Sequence, residues 1–214
     1  MPFGLFPKRM IIRQLNQFES SSENRRILRK GQGISFELLS RDQFNYTNEW
    51  REFCKSYADA KFGDNVMTRE RLDQLFQAPV CSHLLVYSDE ASGDPIGLVV
   101  LFLDFPTVAF YYYSFYDLDY ANKNLGMFMM TSALQHVKKL GYNFIYLGSC
   151  YSRNALYKTQ FAGFQFWNGF RWSDNLQELK YLIQRDSQDV DKHLLETPEF
   201  IDEFYPKGFL EEIS

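Results

Sequence analysis

Two short segments carry polar side chains whose types and spacing suit acid–base chemistry on an ester or thioester. In one, Asn154 is followed three residues later by Tyr157, and a phenol with a pKa of about 10 is a competent acid toward an alkoxide or thiolate leaving group. In the other, Asp117 and Asp119 follow an aromatic run, and a carboxylate there could take a proton from an attacking amine. The structural alternatives stay open: Tyr157 could pack into a core, and Asp117 could be a turn residue that caps the helix near Leu125.

Hydrophobic periodicity predicts the elements that must position these residues. Helices are predicted over Thr47–Ala60, Arg69–Gln77, Gly126–Leu140 and Asn154–Gln160. In the first of these, an apolar side is formed at three- and four-residue spacing by Trp50, Phe53, Cys54, Tyr57 and Ala58. A three-stranded antiparallel meander is predicted over residues 82–116, with further strands at Ile34–Leu39, Asn143–Gly148 and Phe164–Trp172. The pattern predicts an α/β (α+β) fold, with a mixed, mostly antiparallel sheet flanked by helices on a single domain.

Composition narrows the class of protein. Of 214 residues, 45% are hydrophobic and 18% aromatic, which is enough to build a sizeable core rich in rings. No apolar run approaches the roughly 20 residues that span a bilayer, and the N-terminus shows no signal-peptide pattern. The three cysteines and three histidines lack metal-ligand spacing, so we assign no metal and expect Cys150 to be a buried hydrophobe. The cytoplasm is the expected compartment.

Charge is distributed unevenly along the chain. Residues 1–31 hold seven basic and two acidic residues, and residues 185–214 hold nine acidic and three basic residues, so the balances are +5 and −6. Four cations, Arg25, Arg26, Arg29 and Lys30, lie close enough for a helix to gather them on one side. We divide the chain into a basic N-terminal segment (1–32), a catalytic-type domain (33–185) and an acidic C-terminal tail (186–214). The tail is expected to form one or two short helices.

The segment from Asn154 to Tyr157, followed by Gly163-Phe164, resembles the last conserved piece of the GNAT acyltransferases. The resemblance implies that Asn154 faces the acyl carrier and that Tyr157 protonates the leaving group. Acetyl-CoA-dependent members carry a glycine-rich turn whose N–H groups cradle the pyrophosphate. Here that turn reads Lys123-Asn124-Leu125-Gly126-Met127, with one glycine, so phosphate could bind at this helix N-terminus with Lys123 nearby.

A second resemblance covers roughly residues 10–172. The runs Phe115–Tyr120, Asn124–Gly126, Val137–Tyr142, Tyr146–Gly148 and Tyr157-Lys158, with Phe53–Asp64 and Phe18–Leu28 upstream, are similar to the catalytic domain of the aminoacyl-tRNA–protein transferases. That family comprises eukaryotic arginyltransferases and bacterial leucyltransferases, and the resemblance implies a GNAT-like fold. The implied reaction moves an aminoacyl group from charged tRNA to a protein N-terminal amine, usually that of Asp or Glu.

Together, the two resemblances imply roles for individual residues. Asp117, Tyr157 and Asp119 would be catalytic, with Asp117 or Asp119 accepting the substrate ammonium. The substrate-binding residues implied are Tyr116, Tyr146, Gly148, Asn154, Lys158, Leu125 and Gly126. The residues implied to face phosphate are Arg25, Arg26, Arg29, Lys30 and Lys123.

The implied partners are charged tRNA and a protein N-terminus, with no cofactor beyond aminoacyl-tRNA as co-substrate. The family's N-terminal cysteine-rich region is not found in this sequence, so a partner chain that supplies it is a further expectation. Two alternatives remain open: a CoA-dependent GNAT N-acetyltransferase that uses acetyl-CoA, and a non-catalytic module that binds a peptide or protein.

Overall fold

The computed structural model describes residues 10–16, 18–188, 192–208 and 211, without the side chains of Arg13, Ala121 and Asn122. Residues 1–9 of the basic N-terminal segment and parts of the acidic tail therefore lie outside the described residues. The strands are β1 (Met10–Gln14), β2 (Ile34–Ser40), β3 (His83–Asp89), β4 (Pro95–Asp104), β5 (Val108–Tyr116), β6 (Phe144–Ser149), β7 (Phe164–Trp167) and β8 (Trp172–Ser173). The α-helices are α1 (Ser22–Lys30), α2 (Asn48–Phe62), α3 (Arg69–Gln77), α4 (Leu125–Lys139), α5 (Leu176–Asp186) and α6 (Pro198–Phe204).

The chain packs as two compact units, which are described separately. The N-terminal unit comprises residues 13–148, and the C-terminal unit comprises residues 1–12 and 149–214. This division does not coincide with the boundaries predicted after residues 32 and 185, which stay a prediction. No helix in the described part of the chain is both long and apolar enough to cross a bilayer.

The N-terminal unit is built on a sheet in the order β2-β3-β4-β5-β6. Neighbouring strands pair antiparallel except β5 and β6, which pair in parallel. Residues Ile96 to Leu101 of β4 are all buried, as expected of a central strand covered on both faces. The predicted class, a mixed and mostly antiparallel sheet flanked by helices, is confirmed, and so is the predicted order of strands, helix, strand, short helix and strand.

One face of this sheet packs against α2 and α3. Cys54 and Ala58 of α2 form a buried cluster with Leu72 of α3, Leu98 of β4 and Phe115 of β5. The other face packs against α4, and there the Tyr87 hydroxyl donates a 3.1 Å hydrogen bond to the Met129 carbonyl oxygen. A Cβ atom added at Gly97 would lie only 2.8 Å from the Met129 sulfur, so the close approach of α4 requires glycine there.

A β-bulge in β5 changes which residues face each side. Val100 of β4 pairs with Tyr113 of β5 and Leu101 pairs with Tyr111, so Tyr112 is the extra residue. Beyond the bulge, Phe115 faces the α2 side.

The C-terminal unit contains the hairpin β7–β8, α5 and α6. The sequence predicted one strand over Phe164–Trp172, and this prediction is wrong because the chain turns at Asn168-Gly169. The Asn168 side-chain oxygen accepts hydrogen bonds from the N–H groups of Phe170 and Arg171, and Gly169 has a positive φ of 121°. Helix α5 was not predicted, whereas the short helices expected in the tail are observed at Leu194–Glu196 and Pro198–Phe204.

A buried carboxylate joins these C-terminal elements. Glu178 of α5 is fully buried and accepts hydrogen bonds from Asn168 Nδ2 at 2.7 Å, Tyr205 Oη at 2.9 Å and Ser173 Oγ at 2.5 Å. Tyr205 follows α6, so the segment assigned to the tail is anchored to the hairpin turn and to α5. Burial, with the nearby Glu178 carboxylate, raises the pKa of Tyr205 above its usual range.

Candidate active site

Strands β5 and β6 are paired over only three residues. The ladder runs from Val108 opposite Phe144 to Phe110 opposite Tyr146. Strand β5 then continues for six residues to Tyr116 without a partner in β6. The backbone groups on this side of β5 are therefore not used in the β5–β6 ladder, and Tyr116 and Asp117 lie at its far end.

Tyr116 lies against the first turn of α4. A Cβ atom added at Gly126 would be 2.7 Å from the Tyr116 hydroxyl oxygen and 2.8 Å from Cζ, so the ring needs a glycine at that position. On another side, the Tyr116 ring contacts the Tyr57 ring of α2, with centroids 4.7 Å apart. The structure thus brings the predicted substrate residues Tyr116 and Gly126 together, and it adds Tyr57, which sequence reasoning had assigned only to the apolar side of its helix.

Asp117 immediately precedes the 3₁₀ helix Leu118–Lys123, which leads into α4. Its Oδ1 atom accepts a 2.9 Å hydrogen bond from the Asp119 N–H, and its own N–H donates to the Ile96 carbonyl oxygen. Asp117 is therefore a turn residue, although it precedes the 3₁₀ helix and does not cap α4. Asn124, in a left-handed conformation with φ of 55°, occupies the N-cap position of α4. Asp119 is exposed on the 3₁₀ helix.

The N-terminus of α4 is the predicted phosphate site. The first N–H groups of a helix have no intrahelical partner, so those of Leu125 and Gly126 could face an anion. The Leu125 side chain is 1% exposed, so only its backbone could contact a substrate.

Lys123, predicted to bind phosphate at the same place, already faces an acidic group. Its Nζ atom lies 3.6 Å from Asp89 Oδ2 and 5.1 Å from the centroid of the Tyr120 ring. The Tyr120 hydroxyl also donates to Asp89 Oδ2 at 3.0 Å. Hydrogen bonds from the Ala91 N–H and from Tyr120, with the charge of Lys123, lower the pKa of Asp89. Asp89 therefore opposes phosphate binding by Lys123, and sequence reasoning had not assigned it to the site.

Tyr116 and Tyr146 are not brought together. Tyr146 lies opposite Phe110, and their rings are in contact with centroids 6.3 Å apart. Six residues of β5 separate Phe110 from Tyr116, which is about 20 Å of strand at 3.3 Å per residue. Phe110 pairs with Phe102 of β4, which faces the α2 side because it lies two residues from Val100. Tyr116 follows Phe115 and faces the α4 side, although its ring also contacts Tyr57 of α2. Burial raises the pKa of Tyr146, and Gly148 follows with a positive φ of 80°.

Helix α1 presents its cations on one exposed side. At about 100° per residue, the four predicted phosphate-binding residues span about 140° of the helix, opposite the buried Asn24 and Ile27. These four residues are Arg25, Arg26, Arg29 and Lys30, and we call this surface the basic face of α1. It is held in place by a capping box between Ser21 and Asn24.

The four cations differ in their existing contacts. Arg26 is bound to Glu23 by two hydrogen bonds of 2.7 and 2.5 Å, and Arg25 donates to the Ser20 carbonyl oxygen. In the described part of the chain, Arg29 and Lys30 form no ion pair. Because Gly31 packs directly against the Phe128 ring, the end of α1 that carries Arg29 and Lys30 lies beside the first turn of α4.

The C-terminal unit holds the other predicted site residues on the 3₁₀ helix Arg153–Gln160. Asn154 is exposed, and Tyr157 is 46% exposed, so the Tyr157 ring is not packed into a core. Lys158 donates a 2.9 Å hydrogen bond to the Ser149 carbonyl oxygen, and burial lowers its pKa. Cys150 is fully buried, which raises the pKa of its thiol despite the nearby Lys158. Over the described residues there is no group of three His, Cys, Asp or Glu side chains that could hold a metal ion.

Comparison with known proteins establishes the family. The family model described as "Arginine-tRNA-protein transferase, C terminus" matches residues 47–168. The chain belongs to this family. The resemblance noted in the sequence is thereby confirmed, and the matched range of this arginine-tRNA-protein transferase C-terminal domain includes Asp117, Gly126 and Tyr157.

Curated relatives of this family member include the aspartate/glutamate leucyltransferases of two strains of Cereibacter sphaeroides. Each is 25% identical to this chain, and the alignment covers 73% of this chain. The chain spans 58% of the length of these relatives.

Solved structures that resemble this family member share its fold. The structure of L-PGS from Bacillus licheniformis has a TM-score of 0.55 at 14% identity and covers 85% of this chain and 65% of its own. A C-terminal DUF2156 domain from Agrobacterium fabrum has a TM-score of 0.53 at 16% identity and covers 66% of this chain and 46% of its own. At these identities the likeness concerns the fold alone.

Proposed function

We propose that this chain moves an aminoacyl group, leucine or arginine, from charged tRNA to the N-terminal amine of a protein. The observation that carries the proposal is the family match over residues 47–168. The names of the relatives support leucine and acceptors that begin with Asp or Glu, whereas the family description supports arginine. Aminoacyl-tRNA is the co-substrate, no further cofactor is invoked, and the proposed setting is the cytoplasmic N-degron pathway.

In the proposed reaction, the amine nitrogen attacks the carbonyl carbon of the aminoacyl ester. A C–N bond forms, the C–O bond to the ribose breaks, the amine loses a proton and the ribose oxygen gains one. We assign the loss of the amine proton to Asp117, because its Oδ1 atom is fixed by the Asp119 N–H and Oδ2 has no hydrogen bond among the described residues. The exposed phenol of Tyr157 is assigned to the protonation of the ribose oxygen.

The basic face of α1 is proposed to contact the phosphates of the tRNA. Arg29 and Lys30 are the stronger candidates, because Arg26 is neutralised by Glu23. Removing one phosphate contact should lower the slope of log affinity against log salt by about 1. Filter binding of charged tRNA at several salt concentrations should show this for Arg29→Ala. The control is Lys61→Ala, which removes an exposed cation elsewhere in the same unit.

Transfer of labelled amino acid to synthetic peptides tests the proposed function. The assay supplies labelled leucyl-tRNA or arginyl-tRNA with peptides that begin with Asp, Glu or Ala. We expect label in the acidic peptides with one of the two donors, and a loss of about 100-fold or more in kcat for Asp117→Asn and for Tyr157→Phe. Asp42→Asn and Tyr151→Phe, which change exposed side chains elsewhere, are the matched controls.

The alternative functions appear as other outcomes of the same assay. Label transferred from acetyl-CoA and from neither charged tRNA would identify an N-acetyltransferase and reject the proposal. Peptide binding without transfer from any donor would identify a binding module.

A further inference from the structure

A groove in the C-terminal unit is not used by the chemistry assigned above. It has a volume of about 520 Å³ and lies among the 3₁₀ helix Arg153–Gln160, α5 and α6. Its apolar lining comes from Leu156, Tyr181 and Ile183, and its charged lining from Arg153, Lys180 and Glu203. We call it the α5–α6 groove. An apolar surface with a few polar groups that converge on it is the usual form of a ligand site.

The two cations that line the groove are Arg153 and Lys180. In the part of the chain that the structure describes, neither Arg153 nor Lys180 forms an ion pair. Two other arginines of this unit differ, because Arg185 lies 3.9 Å from an Asp186 oxygen and Arg171 stacks over the Tyr205 ring at 4.8 Å. Two unpaired cations that line one concave surface favour an anionic ligand.

The surroundings of the groove favour a single carboxylate over a polyanion. Helix α6, which forms one side, carries Glu199, Asp202 and Glu203, all exposed. A nucleic acid strand with a phosphate at every nucleotide would be repelled by these three charges. A side-chain carboxylate reaching Arg153 and Lys180 would meet two cations, and its methylene groups would lie over Leu156 and Tyr181.

We propose that the α5–α6 groove binds the acidic first residue of the acceptor protein, with Arg153 and Lys180 holding its side-chain carboxylate. The inference rests on the proposed function and names the part of the molecule that selects the acceptor. The 3₁₀ helix that supplies Arg153 and Leu156 also carries Tyr157, so the groove adjoins the residue assigned as the acid.

Direct binding of peptides, without any tRNA, tests the groove. Fluorescence anisotropy compares end-labelled peptides that begin with Asp or Glu with the same peptides beginning with the uncharged isosteres Asn or Gln. We expect the acidic peptides to bind about 5- to 10-fold more tightly at low salt, as suits a partly exposed pair of charges. Arg153→Gln and Lys180→Gln should each remove most of this preference. Lys192→Gln, an exposed lysine of the same unit outside the groove, should leave it unchanged.

Charge reversal gives a sharper result. Lys180→Glu should favour a peptide that begins with Lys over one that begins with Glu. Equal binding of Asp and Asn peptides by the wild-type chain would overturn the proposal. Groove variants that weaken charged tRNA instead of the peptide would also overturn it, and would assign the groove to nucleic acid. Peptide discrimination without transfer would count against the proposed function alone, and transfer without discrimination would count against the groove alone.

Discussion

Replacing Gly126 by Ala separates two effects that act in opposite directions. Alanine favours a helix over glycine by up to about 1 kcal/mol, so the change alone should stabilise α4. However, the new methyl group would lie 2.7, 2.8 and 2.9 Å from Oη, Cζ and Cε1 of Tyr116. Overpacking of this kind costs about 1–3 kcal/mol. We therefore expect Gly126→Ala to lower the free energy of unfolding by between 0 and about 2 kcal/mol.

A double-mutant cycle with Tyr116→Ala isolates the clash. Without the ring, Gly126→Ala should raise the free energy of unfolding, so the coupling between the two positions should be about 1–3 kcal/mol. Urea denaturation at 25 °C, followed by circular dichroism, measures all four proteins. If Gly126→Ala changes stability equally in both backgrounds, the ring does not lie on this glycine as described. Transfer by the single variant should fall with the displacement of Tyr116, and a change in KM would show that the ring contacts substrate.

Three further predictions concern other contacts. Gly31→Ala places a Cβ atom against the Phe128 ring, too close for both to fit, and should lower the free energy of unfolding by about 1–3 kcal/mol. Phe128→Leu should restore part of this loss, and urea denaturation measures both changes. Glu178→Gln removes an acceptor from a buried network and should cost about 1.5–3 kcal/mol in the same measurement, so an unchanged midpoint would contradict the network. Burial lowers the pKa of Lys158, so the folded chain binds this proton more weakly than the unfolded chain does. The free energy of unfolding of the wild type, relative to that of Lys158→Met, should therefore rise as the pH approaches about 10.4, the usual pKa of lysine. A fall in this difference would refute the direction of the pKa shift.

Helices and strands with a clear period could be predicted from the sequence. The spacing of Trp50, Phe53, Cys54 and Tyr57 predicted α2, because one side of that helix packs on the sheet. The continuous apolar run from Ile96 to Leu103 similarly predicted a buried strand, and residues 96–101 of β4 are all buried. Local signals also sufficed for the basic face of α1, whose cations lie within six residues of one another.

Contacts between distant segments could not be predicted in this way. Asp89 and Lys123 are 34 positions apart, and the antiparallel pairing that places Asp89 beside the 3₁₀ helix has no counterpart in local sequence. The separation of Tyr116 from Tyr146 depends on where the β5–β6 ladder ends, which residue types do not specify. Helix α5, in contrast, was signalled by Asn175, whose side chain caps it, and by the apolar spacing of Leu179, Leu182 and Ile183.

The extra residue in β5 determines how the strand would respond to the loss of one residue. Because Tyr112 shifts the alternation by one position, the residues that face α2 are even-numbered before it, such as Phe110, and odd-numbered after it, such as Phe115. Deleting this tyrosine would leave Tyr111 and Tyr113 as neighbours opposite Leu101 and Val100, so the ladder would become regular, and Phe115 would still face α2 and Tyr116 would still face α4. The bulge is therefore a point at which this strand can become one residue shorter while the same side chains stay packed on α2 and α4.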